Sequence, residues 1–188
     1  MSSLLLTAPA VEPLSLAEAK AFLRVDHDAD DDVIGALIAS ARIHVEAQTR
    51  RALVSQSWRL SLDAWPADGR LAVRPAPLQA LTAARVYDES GNASSLDLQS
   101  FVVDVAGSAL AFAPWALAQP GRLAAGIELD VTLGYGAAAS DVPEALRQAV
   151  RLLLGHWYEN RGLATLGAVT VLPVTVAALI APYRMLSL

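Results

Sequence analysis

"GIELDVTLGYG", Gly126 to Gly136, alternates Ile127, Leu129, Val131 and Leu133 with Glu128, Asp130 and Thr132. A period of two sends the four apolar side chains to one side of a strand and the polar ones to the other. This describes a half-buried strand with one face on a core and one in water. The closing "GYG" lacks the third glycine and the close helix of a dinucleotide fingerprint, and reads as the exit turn of a sheet.

The same alternation recurs upstream in "SWRLSLDAW", where Trp58, Leu60 and Leu62 oppose Ser57, Arg59, Ser61 and Asp63. Between these two lie shorter strand candidates, "RLAVRP", "LTAARVYD", "SFVVDV" and "ALAFAP", separated by turn signals such as "ADG", "ESGN" and "QPGR". The expectation is an antiparallel sheet of five or six strands within residues 55–135.

On either side the period changes to that of a helix. Ser15 with Glu18 makes a capping box for the first helix, whose Leu16, Ala19, Phe22 and Leu23 recur at helical spacing. A second helix is expected from about Asp31 to Arg51, with Val33, Ile34, Leu37, Ile38, Ala41 and Val45 on one stripe. A third follows Asp141 and Glu144, read as cap and return partner, with Pro143 in its first turn, and runs to about Asn160. Its polar positions, Glu144, Arg147, Gln148, Arg151 and Glu159, form a narrow stripe, so the helix needs cover on more than one side. After an extended stretch from Ala164, a short helix is expected from Pro173 to Pro182.

The chain therefore reads as α+β: a helical bundle of two N-terminal helices and a long C-terminal helix, an inserted antiparallel sheet, and a short C-terminal helix. One domain over residues 1–188 is expected, divided into N-terminal helices (13–51), β region (55–135), long helix (141–161) and C-terminal segment (162–188).

Composition narrows the function. A formal charge of −5 and a pI near 5.1 do not suit a dedicated nucleic-acid binder, though a weakly acidic wall would let DNA slide past. With no cysteine there is no disulfide, thiolate nucleophile or cysteine-based zinc site. "MSSLLLTAPAVEP" has neither the basic start nor the sustained apolar run of a signal peptide, which leads to the expectation of a protein of the cytoplasm. Gly162 to Tyr183 is 22 residues without a charge, but Pro173 at its centre, Gly167, three threonines and Pro182 argue against a membrane span.

The chemically suggestive clusters each have a plainer reading. Asp26, Asp28 and Asp30 imitate the start of a calcium loop, but Asp31 replaces its glycine and Leu37 its bidentate glutamate. No two of His27, His44 and His156 stand four apart on a helix, as a zinc-protease pair would. "HWYENR", His156 to Arg161, places His156 near Glu159 and Trp157 near Arg161 on a helix. An acid–base pair there needs a third partner, for which a sheet carboxylate such as Asp130 is the candidate in the alternative reading, a small enzyme using His156 and Glu159. The structural reading makes Trp157 and Tyr158 anchors of the helix end. It assigns no catalytic residue, metal or cofactor.

Taken together, "LSLAEAKAFLRVDHDADDDVIGALIASARIHVEAQTRRALVSQSWRLSLDAWP", "TLGYG", "VPEALRQAVRLLLGHWYENR" and "LIAPYR" resemble the head–tail connector (adaptor) proteins of long-tailed phages and gene transfer agents, from about Pro13 to Arg184. One departure is Arg50, where the family pattern has a glycine suited to a left-handed residue. The resemblance implies a structural protein at the neck of a virion or phage-like particle, in a ring of commonly twelve copies below the portal. The ring extends the DNA channel and offers a platform for a stopper or tail-completion protein. Twelve copies would carry a formal charge of about −60, and DNA would pass without sequence-specific binding. The resemblance further implies that Ala164–Leu188 meets the portal protein, with Leu179, Ile180, Pro182, Tyr183, Arg184, Met185 and Leu186 as its anchoring end.

Overall fold

The alternating strand Ile127–Leu133 lies at the middle of a five-stranded antiparallel sheet. In chain order the strands are β1 (Ser2–Thr7), β2 (Gln56–Leu62), β3 (Arg70–Ala72), β4 (Leu78–Tyr87), β5 (Ala93–Ser95), β6 (Phe101–Asp104), β7 (Ala109–Phe112) and β8 (Ile127–Leu133). The first sheet has the order β1-β2-β8-β4-β5, and β3-β7-β6 form a second. These assignments come from a computed structural model that describes residues 1–160 and 173–185. Residues 1–10 and 55–135 make one compact unit, and residues 11–54 with the described part of 136–188 make another.

The mixed α+β class holds, with four α-helices among the described residues. The single sheet of five or six strands is corrected to two sheets, of five and three strands. The two alternating strands and the four shorter candidates all form, but β3, β6 and β7 pair among themselves. Their inward side chains include Phe101 and Phe112, which pack with Trp65 at ring-centroid distances of 5.0 to 5.9 Å. Two strands are additions. β1 comes from a run, "SSLLLT", that does not alternate, and β5 is three exposed small residues closing a hairpin with β4.

Register explains the burial of the large sheet. Leu60 faces Leu129, Leu62 faces Ile127, and Trp58 faces Val131, so β2 and β8 put their apolar residues on the same face. Leu78, Leu81, Ala84 and Val86 of β4 join that face. At its exit Gly134, at φ 125, donates its N–H to the Pro77 carbonyl at 2.9 Å. That backbone conformation is one a side chain resists, so the turn in "GYG" requires this glycine.

In the other unit α1 spans Leu16–Leu23, α2 Asp31–Thr49, α3 Glu144–Glu159 and α4 Val174–Ile180. The Ser15 hydroxyl accepts the Glu18 N–H at 3.2 Å, while the Glu18 carboxylate accepts the Ser15 N–H at 2.9 Å. This reciprocal pair satisfies donors that the first turn leaves open. α3 does not begin this way. Asp141 turns back to accept the Ala138 N–H at 2.9 Å in the preceding 3-10 turn, and Pro143 stands at the cap position without a side-chain bond. The expectation that Asp141 caps α3 is thus corrected. Pro143 itself sets the entry to the helix, and Glu144, rather than reaching back, pairs forward with Arg147 at 2.8 Å.

α3 packs against α2, α1 and α4, consistent with its narrow polar stripe. The core takes Ile34, Ile38, Ala41 and Val45 from α2, Leu146, Val150, Leu153 and Leu154 from α3, and Val176 and Ile180 from α4. α2 ends on Arg50, at φ 56, so the departing arginine adopts the left-handed conformation for which a glycine is usual.

Candidate interaction surfaces

The polar residues of β2, β4 and β8 come together on the other face of the large sheet. Arg59 holds Asp130 with two hydrogen bonds, Nε to Oδ1 at 2.7 Å and Nη2 to Oδ2 at 3.0 Å. Arg85 adds a third at 2.8 Å, and Glu128 lies 3.4 Å from Arg59 and accepts the Tyr87 hydroxyl at 2.8 Å. The hydrogen bonds from Arg59 chiefly, and from Arg85 next, hold the Asp130 carboxyl below the usual carboxylate range against the opposing effect of burial. One register row, Ser2–Ser61–Glu128–Arg85–Ser95, crosses all five strands on this face. Alternation foretold the polar face. It did not foretell the pairing, which depends on β4 lying beside β8.

Asp130 is therefore engaged by two guanidinium groups and is a poor proton acceptor. His156 and Glu159 belong to α3 in the helical unit and are exposed, and among the described residues no hydrogen bond or ion pair joins them. Asn160 instead closes the helix end by donating to the His156 carbonyl at 2.7 Å. Arg161 lies outside the described residues. Trp157 meets the His44 ring edge-on at 5.8 Å, and the Tyr158 hydroxyl donates to Asp30 at 2.5 Å. Trp157 and Tyr158 thus pin the end of α3 to His44 within α2 and to Asp30 at its start.

The acidic break is similarly engaged. Asp28 and Asp31 both accept from the Lys20 ammonium, at 2.6 and 2.7 Å, and these bonds draw Asp28 below its ordinary range. Among the described residues no group of His, Asp and Glu is arranged to hold a metal ion.

The C-terminal end of the described chain is fastened to the end of α2. Arg51 Nε donates to the Tyr183 carbonyl at 2.7 Å, the Met185 N–H donates to the Thr49 carbonyl at 3.2 Å, and Arg184 reaches Gln48 at 3.1 Å. Ile180 is fully buried, so it serves the core and is not free for a partner, a correction to its expected place in a docking end. Leu179, Tyr183 and Met185 are half-buried, whereas Pro182 and Arg184 are exposed. Leu186 and the expected extended stretch at 164–172 lie outside the described residues. Among the described residues no helix is long and apolar enough to cross a membrane.

Two surfaces escaped the sequence reading. Trp115, 85 % exposed, and Leu123, 100 % exposed, both lie between β7 and β8. A tryptophan beside a proline in "FAPWALAQP" was the available signal for the first. The second surface is β1, whose six residues are all exposed.

The family model for "Phage gp6-like head-tail connector protein" matches residues 13–110. The chain belongs to that family. A connector's likeness to solved structures extends over the whole chain. It is similar to a chain from the neck of an empty gene transfer agent (GTA) particle computed with C6 symmetry, at 30% identity and a TM-score of 0.83, covering 100% of this chain and 97% of that one. A chain from the virion of a native GTA particle matches at 28% identity and 0.83, with the same coverage. One from the neck of a native GTA particle computed with C12 symmetry matches at 29% and 0.79, again over 100% and 97%. No curated protein matches the connector.

Proposed function

We propose that this connector is a subunit of the neck of a phage-like particle, assembled as a ring of about twelve copies below the portal. The ring would extend the channel through which DNA passes and offer the platform for a stopper or tail-completion protein. The observation that carries this is the full-length likeness, at TM-score 0.83, to a GTA neck subunit. The C6 and C12 symmetry of such necks supports a ring, because cyclic symmetry repeats one contact around an axis. A formal charge of −5 per copy supports a lumen that does not retain DNA. Particles made without this protein should be DNA-filled heads lacking tails when viewed by electron microscopy. Normal tailed particles would defeat the reading.

On this reading no bond is made or broken. The engagement of Asp130 by two arginines and the separate, solvated His156 and Glu159 support a non-enzymatic role. The helical unit is read as a bundle built from the N-terminal pair and α3. The whole chain is read as one connector domain, with residues 55–135 inserted between the halves of that bundle.

The C-terminal end is proposed to meet the portal through Leu179, Pro182, Tyr183, Arg184, Met185 and Leu186. Its exposed proline and arginine and half-buried tyrosine support this, tyrosine and arginine being enriched where proteins meet. Because Val176 and Ile180 are buried, removing 174–188 would disturb the core as well as the contact. Pro182→Asp with Arg184→Glu is the cleaner test, with loss of co-sedimentation with the portal expected and a preserved melting temperature as the control.

A further inference from the structure

We infer that β1 is a subunit-to-subunit contact of the ring, occupied by a second copy of this chain; the inference rests on the ring reading above. β1 forms one edge of the large sheet and pairs on its inner side with β2 alone. Its outer side presents backbone donors and acceptors to which no described strand is bonded. An edge of this kind is a template for another strand or segment, and isolated proteins usually blunt it with lysine, proline or a short length.

β1 has little of that protection. It is six residues long without charge or proline, the first proline being Pro9 and the first charged side chain Glu12. Its single irregularity lies between Leu5 and Thr7, which leaves Ser2–Leu5 in regular register. Apolar groups emerge on both faces. Leu4 pairs with Arg59 and so stands on the charged face, where it is 62 % exposed. Leu5 pairs with Trp58 on the opposite face, and Leu6 is also exposed. In a solitary molecule the pairing with β2 leaves Leu4, Leu5 and Leu6 in water. The strand gains when a neighbour removes Leu4–Leu6 from water and bonds the open edge.

The choice of occupant follows from symmetry. A cyclic ring joins unlike patches head to tail, so every copy needs a surface that a sister copy covers. The match to subunits of necks computed with C6 and C12 symmetry covers all of this chain, β1 included.

The test uses assembled particles. Leu4 is replaced by photoreactive benzoylphenylalanine, and purified particles are irradiated and digested for mass spectrometry. The absence of cysteine allows a second arm, with Ser3→Cys labelled by a short maleimide–diazirine reagent, whose carbene inserts into whatever faces β1 on irradiation. A cross-linked species containing only this chain, at both positions, is expected. Cross-links from β1 to a different neck protein, or none, would overturn the inference while the chain's presence in the particle leaves the ring reading intact. Absence of the chain from particles would overturn both. Leu4→Glu should fold with an unchanged melting temperature yet lower particle occupancy at least ~10-fold. Wild-type occupancy would count against a contact at β1.

Discussion

In the five-stranded sheet the charges collect on one face, where Arg59, Arg85, Glu128 and Asp130 sit across three neighbouring strands. In the helical unit they act at joints. Arg147 bonds the Pro13 carbonyl at 3.0 Å and the Glu18 and Glu144 carboxylates at 2.8 Å each, joining the start of α1 to α3. Arg42, buried in α2, is held by Glu12 and Glu46 at 2.8 Å, and Glu46 also takes the Leu53 N–H at 2.8 Å. The difference teaches how charge is used by each architecture. A sheet with one wet face gathers its polar residues laterally, by register. A set of helices needs its polar groups at the ends, where backbone donors and carbonyls are left open.

The contrast is tested most severely in the cores. Leu129→Ala in the sheet unit and Leu154→Ala in the helical unit should each cost about 3 kcal/mol, both side chains being fully buried. Amide exchange should accelerate most within residues 1–10 and 55–135 for the first and within the helices for the second. Equal acceleration everywhere in both variants would erase the distinction drawn here.

Next in size is the charged face. Asp130→Asn removes the carboxylate shared by two arginines and should cost roughly 2 kcal/mol, below the full loss for a deeply buried pair because both arginines are partly exposed. The same group sets a pH dependence. Folding holds the Asp130 carboxyl below its ordinary range, so the unfolded chain binds its proton at a higher pH than the folded one. The stabilisation is complete above the unfolded pKa, about 4, and is lost as pH falls through the lower folded value. Urea midpoints should therefore fall below about pH 4 in the wild type, and less steeply in Asp130→Asn.

The joints of the helical unit give smaller effects. Ser15→Ala, which breaks the reciprocal cap with Glu18, should cost about 1 kcal/mol by thermal or urea unfolding. Arg50→Gly works in the opposite direction. It relieves a left-handed arginine but adds freedom to the unfolded chain, for a net gain of about 0.5–1 kcal/mol.

The sequence disclosed whatever repeats locally. The two alternating strands, the four candidates bounded by turn signals, the capped first helix and the stripe on α3 were legible because period, turns and capping are properties of neighbours in the chain. Partners far apart were not. "SSLLLT" carries no alternation, and its pairing with β2, fifty or more residues away, is invisible from either segment alone. The split of the strands into two sheets follows from β3 choosing β7, again a long-range event. Asp141 and Glu144 looked like a cap and its return because the spacing was right. Pro143 between them took the cap position. Among the proposed docking residues, Ile180 failed for a related reason, since a hydrophobic residue near a chain end reads the same whether it serves a partner or its own core.

The tie between the C-terminal end and α2 has a mechanical consequence. Tyr183 and Met185 are fastened through their main chain to Arg51 and Thr49, on either side of Arg50. Force applied to the C-terminal end would be passed through these bonds, and through that from Arg184 to Gln48, to the last turn of α2. Arg50, in the left-handed conformation, therefore sits between the two residues that would take up the pull.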